Sequence, residues 1–133
     1  MTRKQLVTTW FANIDEQNFK ANKGLMAENH RFHNPLTPNP VGAEEHIGMM
    51  QMMTASFEGK HSINQAVKET GWVTVHGTWS GKHIGEFQGV PTTGNSVTFT
   101  WADFFKVIDG EVVNEYFEMN PMAIMEQLET VPS

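Results

Sequence analysis

Cysteine is absent from all 133 residues, which excludes disulfide scaffolds, thiolate nucleophiles and cysteine-bearing zinc sites. Cations are scarce too. Nine Lys and Arg stand against fifteen Asp and Glu, a formal charge of −6, and no basic run could neutralise a row of phosphates. Nucleic acid is therefore not an expected partner. No stretch of eighteen apolar residues occurs, and the opening MTRKQLVTTWFANIDEQ lacks an apolar run long enough for a signal peptide. The expectation is a cytoplasmic protein with no membrane partner. Charged residues are only 18% against 39% hydrophobic, a globular rather than a disordered balance. The length suits a single domain over residues 1–133, large enough to bury about two thirds of the extended chain's surface without disulfide or metal.

What is present divides into a helical first half and a sheet-forming second half, the segregated pattern of an α+β fold. Leu6, Val7, Trp10, Phe11 and Ile14 recur at the spacing of one buried helix face. Asp15 is placed to cap a second, short helix carrying Phe19, Leu25 and Met26. A short strand is predicted at 30–35, then a loop punctuated by Pro35, Pro38 and Pro40. A third helix follows Gly42, with Ile47, Met50, Met53 and Phe57 on one side and Gly59 at its end. From His61 the period becomes two, giving strands at 61–69, 72–80, 96–107 and 112–119, with Asp109-Gly110 as a hairpin turn. Beyond Pro121 a terminal helix carries Met122, Ile124, Met125 and Leu128. The expected object is a strongly curved antiparallel sheet with the helices on its concave face and an apolar pocket between them.

Among candidates for chemistry, Asp103 stands out. On 96–107 the odd positions read Val97, Phe99, Trp101, Asp103, Phe105 and Val107, so one acid interrupts an apolar and aromatic face. Burial there would raise its pKa toward that of a proton-transfer group. The alternatives are a structural acid bonded to a nearby donor, or a β-bulge that turns it outward. Of six histidines, His33 precedes the proline-rich loop where a short strand could aim its ring into the pocket mouth, though a loop histidine bonding backbone fits as well. His30, three residues earlier, points to the opposite face of a strand. His46, beside Glu44 and Glu45, reads as solvated, and the histidine spacings form no recognised ligand set, so no metal is expected. Trp10, Trp101 and Tyr116 suit the walls of a site for a flat ligand. The nine methionines read as core filler first and adaptable pocket lining second.

The stretches His33-Asn34-Pro35, Gly81-Lys82-His83-Ile84-Gly85-Glu86-Phe87-Gln88-Gly89-Val90-Pro91-Thr92-Thr93-Gly94 and Asp109-Gly110-Glu111-Val112-Val113 resemble the SnoaL-like polyketide cyclase family. That family has the cone-shaped α+β barrel of the nuclear-transport-factor-like folds, shared with ketosteroid isomerase and limonene epoxide hydrolase. The resemblance implies cofactor-free acid/base chemistry, an aldol cyclisation or an isomerisation, on a small apolar oxygenated carbonyl ligand, carried out by a homodimer. In the cyclases the acid/base is an aspartate ending the last strand; counting forward from Gly110 places Asn120 there, and an amide cannot take up or release that proton at neutral pH. The readings left open are an enzyme using Asp103 or His33 as base with Asn120 and Tyr116 holding the enolate and Asn34 in the site, a non-catalytic small-molecule binder, and an epoxide hydrolase in which Asp103 activates water.

Overall fold

The computed structural model describes residues 1–129. Helix α1 (Arg3–Asp15) opens with a capping box in which Thr2 accepts from the Gln5 N–H while the Gln5 side chain accepts from the Thr2 N–H. Its buried stripe is Leu6, Val7, Trp10 and Phe11, as the spacing predicts. Helix α2 (Phe19–Gly24) is capped by Asn18 rather than by Asp15. Asp15 ends α1 instead, and its carboxylate is engaged by His61. A buried amide pair joins the two helices: Asn13 Nδ2 donates to Asn22 Oδ1 at 2.9 Å, and Asn22 Nδ2 donates to the Trp10 carbonyl at 3.3 Å.

Strand β1 (Met26–His33) begins earlier than the sequence suggests, and helix α3 (Ala43–Ser56) ends as Phe57 takes up extended backbone. Strands β2 (Phe57–Glu69), β3 (Trp72–His83), β4 (Ser96–Ile108) and β5 (Glu111–Glu118) follow, then helix α4 (Pro121–Glu129). The sheet order is β1-β5-β4-β3-β2. Neighbours β2 to β5 are antiparallel, but β1 pairs with β5 in parallel, so the five-stranded sheet is mixed. The parallel pairing arises because β1 reaches β5 from across the helical half of the chain instead of through a hairpin. The sheet stays open, with β1 and β2 as its edges, and does not close into a barrel. Helices α1, α3 and α4 pack on it.

Three glycines shape the inner face. A Cβ on Gly77 would lie 2.3 Å from Cζ2 of Trp101 and 2.6 Å from the Ser62 carbonyl; on Gly59 or Gly81 it would lie 2.4 or 2.5 Å from the Trp79 ring. The two indoles thus lie flat on bare backbone, covering positions where a strand would otherwise have a hole. Opposite Gly77 the register of β2 shifts between Ile63 and Gln65, a bulge that bends the edge strand around the covered face. A second shift, between Lys106 and Val107 against β5, matters more for the site. There Val112 faces inward, yet so do Glu115 and Phe117, because the extra residue Val113 reverses the parity of β5.

Gly77→Ala is expected to cost about 2–3 kcal/mol in urea denaturation, since either the Trp101 indole or the Ser62 carbonyl must move; a change under about 0.5 kcal/mol would show that the indole is not held against the strand.

Candidate active site

Between the helices and the inner face lies a cavity of about 190 Å³, far more than one water needs. Its walls are mainly apolar. Trp10 and Phe11 come from α1, Trp79 from β3, Phe99 from β4 and Phe117 from β5. Met49, Met50 and Met53 of α3, with Met119 and Met125 at the other side, complete the lining; the methionines at these positions serve the pocket, whereas Met52 and Met122 are exposed.

Into this apolar space the sheet places two carboxyl groups. Asp103 of β4 is fully buried, as the alternation along that strand predicts. Glu115 of β5 lies beside it: Glu115 is registered with Phe105, two residues along the same face from Asp103. No protein hydrogen-bond donor among the described residues reaches either Asp103 oxygen or Glu115 Oε1. Burial raises the Asp103 pKa well above the usual carboxylate range, and the adjacent Glu115 charge raises it further. Burial also pushes Glu115 up, to about 7, opposed by its hydrogen bond with Asp103. Two carboxylates this close and this dry cannot both ionise, so a proton held between them is the donor that neither obtains from the protein.

Behind Glu115 stand two histidines. His30 Nδ1 is 2.9 Å from the Val112 carbonyl, which can only accept, so that nitrogen carries a proton. Burial lowers the pKa of both His30 and His46, and each ring is therefore neutral. His30 Nε2 is then bare and accepts from His46 Nδ1 at 3.0 Å, which in turn leaves His46 Nε2 bare, 3.8 Å from Glu115 Oε1. Phe32 stacks on the His46 ring with centroids 3.6 Å apart, and Trp10 packs against both histidines. One backbone carbonyl therefore sets the tautomers of two rings and the face presented to Glu115.

His30, His46 and Glu115 offer ligand atoms within 4.8 Å of one another, and they are the group that a cation would use. The 3.0 Å separation of the two ring nitrogens is that of a hydrogen bond, shorter than the roughly 3.3 Å between two nitrogens on one tetrahedral zinc. Holding a metal would require breaking the His30–His46 bond.

The residues singled out from the sequence do not all meet here. Asp103, Trp10 and Asn34 line the cavity. The Asn34 side chain is committed to its own loop, accepting from the Leu36 and Thr37 N–H groups and donating to Thr37 Oγ1. Trp101 is buried against Gly77, Phe11 and His61 and is not part of the cavity lining. His33 and Tyr116 stack on each other with centroids 4.1 Å apart, paired in register away from the cavity. The Val113 bulge is the cause for Tyr116; for His33 it is strand alternation, which turns His30 and Phe32 inward. Asn120 is exposed and accepts from the Met122 N–H at the start of α4. His46, read as solvated beside two glutamates, is buried because it lies one turn before Met50 on the inward face of α3.

The profile of the SnoaL-like polyketide cyclase family matches residues 4–128 of this chain. The chain belongs to the SnoaL-like polyketide cyclase family. Solved structures agree on the fold. AclR, a proposed hydroxylase of Streptomyces galilaeus, superposes with a TM-score of 0.87 at 21% identity, covering 98% of this chain and 97% of its own. IdmH, a proposed polyketide cyclase of Streptomyces antibioticus, gives 0.87 at 21% identity over 98% of this chain and all of its own. A SnoaL-like protein of Jannaschia gives 0.87 at 21% identity, over 96% and 92% of the two chains. No curated protein matches. This SnoaL-like chain has, among its described residues, no helix long and apolar enough to cross a membrane.

The buried pair makes stability depend on pH. Because the folded-state pKa of Glu115 is raised from 4.5 to about 7, its contribution is complete below the unfolded value and is lost as pH rises through about 7. Glu115→Gln is therefore expected to gain ~2–3 kcal/mol on the parent between pH 5 and pH 8. The histidines, whose lowered pKa values act with the opposite sign, are common to both proteins. Denaturant titrations showing a pH-independent difference would mean that the carboxyl is not desolvated.

Proposed function

We propose that the cavity binds a flat, largely apolar carbonyl compound and that Asp103 and Glu115 move a proton on it without a cofactor. The observation that carries this reading is a pair of carboxyl groups sharing a proton inside an apolar cavity. The ionised member, Glu115, takes the proton from the carbon next to the carbonyl. The protonated member, Asp103, donates a hydrogen bond to the oxygen on which negative charge develops. His46 Nε2 faces Glu115 and stabilises it once protonated. Return of that proton to a different atom gives isomerisation; attack of the enolate on a second carbonyl gives aldol ring closure. The polyketide cyclase description of the family supports both outcomes.

The alternative of a non-catalytic binder drew its support from an amide at position 120. The Asn120 side chain caps α4, and the acidic pair on the cavity favours the catalytic reading. The pair also supplies what epoxide opening needs, one carboxylate to activate water and one acid to protonate the leaving oxygen.

We further propose a homodimer through the outer sheet face, where Phe104, Ile108 and Tyr116 are 39%, 44% and 37% exposed on neighbouring strands. Light scattering at micromolar concentration is expected to give twice the 15.0 kDa chain mass; a particle of the chain mass would remove the dimer.

The catalytic reading is tested by deuterium exchange at the carbon next to the carbonyl of 1-tetralone. The parent protein is expected to accelerate exchange, Glu115→Gln to lose about 100-fold or more and Asp103→Asn about 10- to 100-fold. The rate should climb as pH rises through about 7, where Glu115 ionises, and fall at higher pH as Asp103 loses its proton. Exchange unchanged in both variants would rule out the pair as the acid and base.

A further inference from the structure

A second polar group lines the same cavity and takes no part in the proton transfer above: Asp15, the last residue of α1, and His61 on β2. Asp15 gives both of its oxygens to one residue. Oδ1 lies 2.6 Å from His61 Nδ1, and Oδ2 accepts the His61 backbone N–H at 3.0 Å. That N–H is available because β2 is an edge strand. The carboxylate can only accept, so Nδ1 carries the proton of the neutral ring and Nε2 is left with a lone pair. Among the described residues no protein group hydrogen-bonds Nε2, and the ring is fixed between Phe11, with centroids 5.0 Å apart, and the edge-on Trp101 at 5.7 Å. The result is an oriented hydrogen-bond acceptor in an apolar wall.

Its position relative to Asp103 follows from register. His61 pairs with Trp79 and Trp79 with Phe99, so Asp103 is two strands over and four residues along. On a flat sheet this separates the two Cα atoms by roughly 16 Å. The space between them is walled by aromatic and thioether side chains.

We propose that the Asp15–His61 pair is a second polar station, which binds a hydroxyl group of the ligand through His61 Nε2. The ligand class narrows accordingly, to carbonyl compounds bearing a hydroxyl at the end remote from the reacting carbonyl. The inference rests on the reading that this cavity takes the carbonyl ligand. A hydroxyl donates to the bare nitrogen, while an ether or a hydrogen at the same place leaves it unpaired in a dry wall, so discrimination is strong.

The probes are 6-hydroxy-1-tetralone, its 6-methoxy ether and unsubstituted 1-tetralone, with affinities measured by calorimetry. The parent is expected to bind the hydroxy compound at least tenfold more tightly than either of the others. His61→Phe should remove that preference while binding unsubstituted 1-tetralone within threefold of the parent, and Asp15→Asn should weaken the preference by releasing the tautomer. Nitrogen NMR of the parent gives a reading independent of how the variants fold: His61 Nε2 should be unprotonated in the free protein and shift on adding the hydroxy compound but not the ether. Equal affinity for the three probes, a preference that survives His61→Phe, or a protonated Nε2 in the free protein would overturn the proposal. Deuterium exchange read on the same samples separates it from the acid–base assignment. A His61-dependent preference without exchange leaves the station standing and removes the catalysis; exchange with a preference independent of His61 does the reverse.

Discussion

The hydrogen bond from His30 Nδ1 to the Val112 carbonyl is the contact on which the site's proton inventory depends. A carbonyl has no proton to give, so the choice made at Val112 propagates without ambiguity through His30 and His46 to the nitrogen that faces Glu115. Val112 is also where the sheet is tied together at its parallel seam. Its N–H donates to the Leu25 carbonyl at 2.7 Å just ahead of β1, and its side chain is wholly buried beside the bulge that turns Glu115 inward. One residue thus couples the register of β5, the attachment of β1 and the protonation pattern of the cavity.

Burial does the rest. In water an aspartate and a glutamate at these positions would both be ionised at neutral pH and useless as a donor and acceptor set. Inside a wall of indoles, phenyl rings and thioethers the charged forms are penalised, and the penalty is unequal, because Glu115 alone keeps a hydrogen bond that favours its ionised state. Two similar groups are thereby driven to different protonation states. This is a route to an acid and a base that needs no third chemical species.

How far the sequence discloses this varies with the regularity of each element. Strand β4 is readable throughout, since thirteen residues alternate without interruption and the single acid on the apolar face is the one that the structure buries. On β5 the same method fails at one residue. Counting by twos from Val112 points Tyr116 inward and Glu115 outward, but Val113 is inserted in the bulge and reverses the order. Counting back from the apolar Phe117 and Met119 gives the right parity for Glu115, so the signal was present at the other end of the strand. His46 is similar. Its neighbours Glu44 and Glu45 suggest solvent, whereas the four-residue step to Met50 places it on the buried face. Pairings between distant segments, such as His61 with the end of α1 or the parallel seam of β1 and β5, have no local signature and follow only from tertiary assembly.

The methionines divide labour within the cavity. Five line it, and an unbranched thioether changes rotamer at little cost, so the outline of the space yields to rings of different shape. A compliant boundary is a poor judge of contour. Discrimination among ligands is left to features that cannot yield: the lone pair of one clamped imidazole and a single proton confined between two acids. Substitutions drifting through the thioether lining would retune which skeletons enter while leaving the oxygen pattern demanded of them unchanged, so new substrates could be acquired here without rebuilding the chemistry.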